Sequence, residues 1–220
     1  MQGKLTSNQL KLLAMLTMTL DHIGVQMFPG ALWLRIVGRL AFPIYAYMIA
    51  EGCAHTRNRS KYLFQMAGLA LLCQLVYFFA MGSLFQCILV TFTLSILLIY
   101  AYDTGSRPLI GLTLLGVAFI TVALPRLLPG TDFAIDYGFF GVLVPVAAYL
   151  GKTHREKLLF TAGALVALAW SVGDIQWYSL AALLPLALYS GQRGKRRMKW
   201  LFYLYYPLHL AAIYGISLLL

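Results

Sequence analysis

The sequence predicts an all-α, polytopic integral membrane protein with about nine transmembrane helices. Three observations predict it. Of the 220 residues, 61% are hydrophobic and only 11% are charged, whereas a soluble domain carries roughly 25% charged residues. The apolar runs recur with short breaks, and many are long enough to cross ~30 Å of hydrocarbon. The basic residues gather in alternate connections, as the topology of a membrane protein demands.

The runs place spans at 9–28, 32–54, 61–81, 84–102, 108–125, 136–151, 157–173, 175–190 and 199–220. The first run starts at Leu10, is too long for the apolar core of a signal peptide, and lacks a small-residue cleavage site. It is therefore expected to be a span that stays in the protein. Only 29-PGA-31 separates it from the second span, so those two helices must pack side by side. The third and fourth spans meet at 82-GS-83. Gly173-Asp174 divides the seventh from the eighth, and reads alternatively as a kink in one long buried segment. No repeat, linker or low-complexity stretch stands out, so residues 1–220 are expected to form a single transmembrane domain. Cys53, Cys73 and Cys87 all fall in apolar runs and read as small core residues.

The connections set the orientation. The loops 55-HTRNRSK-61, 103-DTGSRP-108, 152-KTHREK-157 and 191-GQRGKRRMK-199 hold most of the basic residues. The intervening connections are 29-PGA-31, 82-GS-83, 126-RLLPGTDFAID-136 and the break at Asp174, and their one basic residue is Arg126. Lys4 and Lys11 flank the start of the first span. The positive-inside rule then puts the N-terminus in the cytoplasm and the C-terminus outside. The net charge of +10 is explained by topology, with the lipid bilayer as partner and no nucleic acid.

Orientation gives the intramembrane charges a depth. His22 lies eleven residues beyond Lys11, about 16 Å further along a helix and close to three whole turns. The two share one face, with Lys11 at the cytoplasmic mouth and His22 past the midplane. Arg35 and Arg39, at i and i+4, enter the second span early from the opposite side. Asp21, His22, Arg35 and Arg39 therefore converge in the outer half of one helix pair. A charged side chain in hydrocarbon costs at least ~2.5–3.5 kcal/mol, so the four must pair and face a polar cavity. One reading is a salt-bridge knot that holds two helices in register. The other is a site, favoured by His22, because a salt bridge needs only Asp and Arg. A histidine adds a group suited to taking and returning a proton.

Three segments carry a family resemblance: 11-KLLAMLTMTLDHIG-24, 38-GRLAFPIYAYMIAEG-52 and 201-LFYLYYPLHLAAIY-214. In their order and spacing the chain resembles the TraX family of conjugative plasmids, inner-membrane proteins linked to N-terminal acetylation of pilin. More distantly, a basic residue, ten intervening residues and a histidine (Lys11 to His22) resemble the pattern of the transmembrane acyltransferase superfamily. That superfamily moves acyl groups from cytoplasmic acyl-CoA to acceptors on the far side of the membrane.

The resemblance implies an acetyltransferase of the bacterial inner membrane that uses acetyl-CoA, with pilin as acceptor. It assigns His22 as general base or transient acyl carrier, and Asp21 as the group that orients it. Lys11 suits a CoA phosphate, and Arg57, Arg59 and Lys61 lie on the same side, although a positive-inside loop explains them equally. Arg35 or Arg39 suits a developing oxyanion, while Arg39 is also a natural structural partner for Asp21. Asp136-Tyr137 and Asp174 lie at outer ends and suit a protonated amine acceptor. Helix capping is the plainer explanation of Asp136. Glu51 is expected to pair with Arg57 or Arg59. His209, just after Pro207, reads either as a hydrogen-bonded core histidine or, through the resemblance, as part of the site. The tyrosines Tyr203, Tyr205 and Tyr206 read as packing and interfacial anchors.

There is no GxGxxG, P-loop, HExxH or CxxC, and the four histidines are scattered, so no metal is expected. Two other functions fit the residues. One is O-acetylation of a surface glycan or lipid. The other is a small transporter or channel that uses the buried charges as an ion relay.

Overall fold

The computed structural model describes residues 3–195 and 198–217. Those residues are largely helical, with two isolated bridges and no strand among them. The helices are α1 (Ser7–Gln26), α2 (Leu32–Gly38), α3 (Ala41–His55), α4 (Arg59–Met81), α5 (Ile88–Asp103), α6 (Arg107–Ala118), α7 (Leu124–Leu127), α8 (Gly138–Leu150), α9 (His154–Val172), α10 (Leu183–Ala187) and α11 (Lys199–Ser217). A π segment, Phe119–Ala123, joins α6 to α7, and a 3₁₀ segment, Asp174–Ala182, leads into α10. The last three residues of the span at 199–220, and Arg196-Arg197 of the basic loop, lie outside the described residues.

Among the described residues, three helical stretches are long and apolar enough to cross a membrane: Leu32–His55, Arg59–Phe79 and Arg107–Leu127. Two shorter helices, α5 and α8, are also apolar. Large apolar side chains stand exposed along them, among them Leu72, Val76 and Phe79 of α4 and Leu112 and Leu115 of α6. Exposed apolar surface on that scale marks contact with lipid or another protein, and together these are the features of a membrane protein.

Two prolines and a Gly-Asp pair mark where the helices depart from uninterrupted spans. Pro43 has no N–H for the carbonyl of Arg39, and its ring crowds that carbonyl. The expected span at 32–54 is accordingly interrupted at Arg39-Leu40, between α2 and α3. Pro125 likewise cannot bond the carbonyl of Thr121. There the helix widens, and the N–H of Leu124 bonds the carbonyl of Phe119. At Gly173 the backbone turns to φ 79°, Asp174 follows at φ 46°, and α9 ends. The segment after it begins as 3₁₀ and finishes as α10, together about 25 Å long.

The chain forms two compact units, Met1–Met48 with Leu165–Leu220, and Ile49–Ala164. In the second unit α5 packs against α4, α6 and α8. Leu94, Leu98, Val117, Ile135 and Val142 form a core there. The side chain of Asn58 caps α4 by accepting from Lys61 N–H at 2.8 Å. Gly82, in the left-handed conformation that glycine permits, ends it. Asp132 ties two connections together, accepting from the Ser83 hydroxyl at 2.6 Å and from Leu84 N–H at 2.8 Å. Those bonds hold its carboxyl below the usual range. The three cysteines are buried, and none forms a disulfide among the described residues.

In the first unit α1 opens with a capping box between Thr6 and Gln9. The N–H groups of Ser7 and Asn8, which a helix start leaves without intrahelical partners, donate to the carbonyls of Gln192 and Arg193. The beginning of the last basic loop therefore lies against the N-terminal end of α1. α1 packs against both α2 and α11.

Candidate functional site

The α1–α2 hairpin brings the predicted charges together. Gly38 lies where an added Cβ would meet the side chain of Asp21, and at Gly24 an added Cβ would come within 2.9 Å of Leu34 Cβ. The two glycines let the antiparallel helices approach closely. Asp21 then receives both arginines, Arg35 Nε at 2.8 Å on Oδ1 and Arg39 Nη2 at 2.5 Å on Oδ2. The Asp21 and Arg39 side chains are 15% and 10% exposed, and Arg35 is 33% exposed. Arg39 sits at the α2–α3 break, where its N–H bonds back to Arg35. Its Nη1 donates to Gln176 Oε1 of the 3₁₀ segment at 3.4 Å. Both oxygens of the carboxylate are thereby engaged by guanidinium groups.

His22 turns to the other side of α1 and meets α11. Its Nδ1 lies 2.9 Å from Nε2 of His209. His209 is buried, and its Nδ1 lies 2.8 Å from the carbonyl of Tyr205. A carbonyl only accepts, so His209 carries its proton on Nδ1. In the neutral pair Nε2 of His209 is then an acceptor, and His22 must donate from Nδ1. That leaves Nε2 of His22 as an unprotonated nitrogen, the tautomer a general base needs. Tyr205 buttresses the arrangement: its ring stacks on His209 with centroids 4.8 Å apart. Its hydroxyl bonds to Thr19 and lies 3.1 Å from the carbonyl of Met15.

Lys11 stands on the same helix, with its ammonium 5.2 Å from the centroid of the Phe202 ring. The contacts of Lys11 with Phe202 and of His22 with His209 run the same way along both helices, so α1 and α11 are parallel. The stretch of α1 from Lys11 to His22, about 16 Å, is flanked by α11 throughout.

Asp174 opens the 3₁₀ segment of the first unit, while Glu51, Arg57, Arg59, Lys61, Asp136 and Tyr137 belong to the second. Arg59 pairs with Asp103 at 2.6 Å and lies over the Tyr100 ring, and the Tyr149 hydroxyl donates to Asp103 at 2.7 Å. Arg57 is exposed in the same connection. Glu51 pairs with Lys157 and, at 3.9 Å, with His55, so the expected pairing with Arg57 or Arg59 gives way to these partners. Asp136 is not the helix cap. Tyr137, in the left-handed conformation at φ 59°, holds that position before α8 without a side-chain capping bond. The Asp136 carbonyl accepts from Thr91. Gln176 escaped the sequence reading. Its one available signal was an amide inside the apolar run at 175–190. Tyr205 reads from the sequence only as a packing and interfacial anchor.

A helical membrane protein whose first and last described helices share a histidine pair beside a doubly clamped aspartate is the class that fold and site define. The TraX protein family model matches residues 6–217, and the chain belongs to the TraX family. It is 25% identical to the probable fimbrial assembly protein FimC, serogroup H1, of Dichelobacter nodosus, across 93% of each chain. A shorter match, 45% identical over 38 residues, covers 17% of this chain and 15% of an uncharacterized protein of Rickettsia prowazekii (strain Madrid E). No solved structure matches.

Proposed function

We propose that this chain is an acetyl-CoA-dependent acyltransferase of the bacterial inner membrane. It moves an acetyl group from the cytoplasmic side to an amine on the periplasmic side, and the acceptor is the N-terminal amine of a pilin subunit. The observation that carries the proposal is the His22–His209–Tyr205 chain of contacts, which leaves Nε2 of His22 free to accept a proton. Family membership and the relative named for fimbrial assembly support the pilin acceptor. The basic loops support the cytoplasmic N-terminus. Parallel α1 and α11 agree with nine crossings, since an odd count makes the first and last spans run the same way.

The chemistry is a thioester aminolysis. The amine nitrogen attacks the carbonyl carbon, and the π pair moves onto oxygen. His22 Nε2 takes the amine proton. The pair returns, the C–S bond breaks, and the proton passes from His22 to the departing thiolate. Lys11 meets a CoA phosphate at the cytoplasmic mouth. The thin pantetheine arm spans the distance from Lys11 to His22 along α1. Asp21, held in place by Arg35 and Arg39, lies next to the histidine in sequence.

Calorimetric titration of the purified protein with CoA tests the donor half. Binding is expected, weakened more by Lys11→Ala than by His22→Ala, and folded protein that binds no CoA contradicts the proposal. Intact masses of periplasmic pilins from cells with and without the protein identify the acceptor. An acetyl group on the pilin N-terminus only where the protein is present is the expected result.

A further inference from the structure

Two polar side chains of the 3₁₀ segment are buried with atoms left unbonded. Gln176 is 1% exposed and Ser179 0%. Residues three apart eclipse one another in a 3₁₀ helix, so both lie on one face of the segment. α2 packs against that segment. Nine consecutive residues of 3₁₀ structure is long for a conformation that rarely exceeds three or four.

The orientation of the Gln176 amide is fixed by its partner. Arginine has donors and no acceptor, so the amide oxygen faces Arg39 Nη1, at 3.4 Å. The amide NH2 therefore faces away from the guanidinium. Neither Gln176 Nε2 nor Ser179 Oγ has a hydrogen-bond partner among the described residues. Buried polar groups are nearly always satisfied, and an exception calls for a ligand or a functional role. The groups gathered here are an arginine already engaged with Asp21, an amide NH2 and a hydroxyl. Such a set of donors suits a neutral oxygen that gains negative charge.

We infer that Gln176 and Ser179 form the subsite for the carbonyl oxygen of the acyl thioester. This rests on the acyltransferase reading above and adds to it the group that binds the reacting oxygen. When the amine attacks, the carbonyl π pair moves onto that oxygen. The Nε2–H of Gln176 and the hydroxyl of Ser179 donate to it. They hold it until the pair returns and the C–S bond breaks. The donors are fixed in place before the charge develops, the arrangement that favours the transition state over the ground state.

Two variants test it. Ser179→Ala removes one donor and leaves every hydrogen bond described here intact. Gln176→Glu keeps an oxygen toward Arg39 but replaces the NH2 with a second acceptor. Acetyl transfer, CoA binding and thermal melting are measured on the same samples. Each variant is expected to lower kcat by about 10²-fold or more. Binding of CoA, which lacks the acyl carbonyl, is expected to stay unchanged, and melting temperature to hold or rise. A Ser179→Ala protein that transfers acetyl at the wild-type rate overturns the subsite, and so does a Gln176→Glu protein that does. If Gln176→Glu fails to accumulate, Ser179→Ala decides alone. A wild-type protein that binds CoA but transfers no acetyl group overturns the acyltransferase reading and the subsite with it. Normal wild-type transfer with unaffected variants overturns the subsite only.

Discussion

His22 Nδ1 lies 2.9 Å from His209 Nε2, although the two residues are 187 positions apart in sequence. The contact joins the first helix to the last described one within a single unit. Its direction is set from the far end, because the Tyr205 carbonyl accepts from His209 Nδ1. Removing His209 therefore removes the acceptor that selects the tautomer of His22. His209→Ala is expected to lower acetyl transfer by about 10²-fold. Nitrogen NMR of labelled histidine is expected to show His22 Nε2 unprotonated in the wild type and a mixture of tautomers in the variant. A wild-type His22 protonated on Nε2 alone contradicts the assignment.

The two arginines on Asp21 differ in burial, and their loss is expected to differ accordingly. Breaking a buried ion pair by removing one partner costs about 3–5 kcal/mol. Arg39, the more buried, also reaches Gln176. Arg39→Gln is expected to lower both melting temperature and yield. Arg35 is a third exposed, and Arg35→Gln should cost markedly less. Thermal melting of the two purified variants makes the comparison, and equal losses contradict the geometry.

Much of this site was legible from spacing. Asp21 and Arg35 sit either side of a three-residue connection, and hydrocarbon does not tolerate lone charges, so their pairing follows from cost alone. The interruption at Arg39-Leu40 went unread: Pro43, four residues after Arg39, was its signal, but an apolar run of that length reads as one span. His209 and Gln176 are a different case. Each is a single polar residue in an apolar segment far along the chain, and no periodicity says which helix it faces. Only the packing of α11 against α1, and of the 3₁₀ segment against α2, brings them in. The pairing of Glu51 with Lys157 is hidden for the same reason. Charge balance names a basic partner nearby in sequence, and the fold supplies one 106 positions away.

Orientation is open to direct measurement. The proposed orientation puts Asn58 and Arg193 in the cytoplasm, and Gly30 and Thr131 outside. The main-chain bonds from Ser7 and Asn8 to the carbonyls of Gln192 and Arg193 tie the last of those loops to the start of α1. Single cysteines at the four positions, probed in intact cells with an impermeant thiol reagent, are expected to label at 30 and 131 only. Labelling at 193 from outside reverses every depth assigned to the site.

The central claim is that His22 is a base and not a strut. His22→Gln keeps an N–H to offer His209 and leaves the Asp21–arginine clamp untouched, but its amide cannot take up a proton at neutral pH. Acetyl transfer and thermal melting are measured together on the same purified samples of wild type and variant. The expected result is a melting temperature nearly unchanged, with transfer lowered by about 10²-fold or more. A stable His22→Gln protein with normal transfer would contradict the account and leave the histidine pair as a register device between α1 and α11.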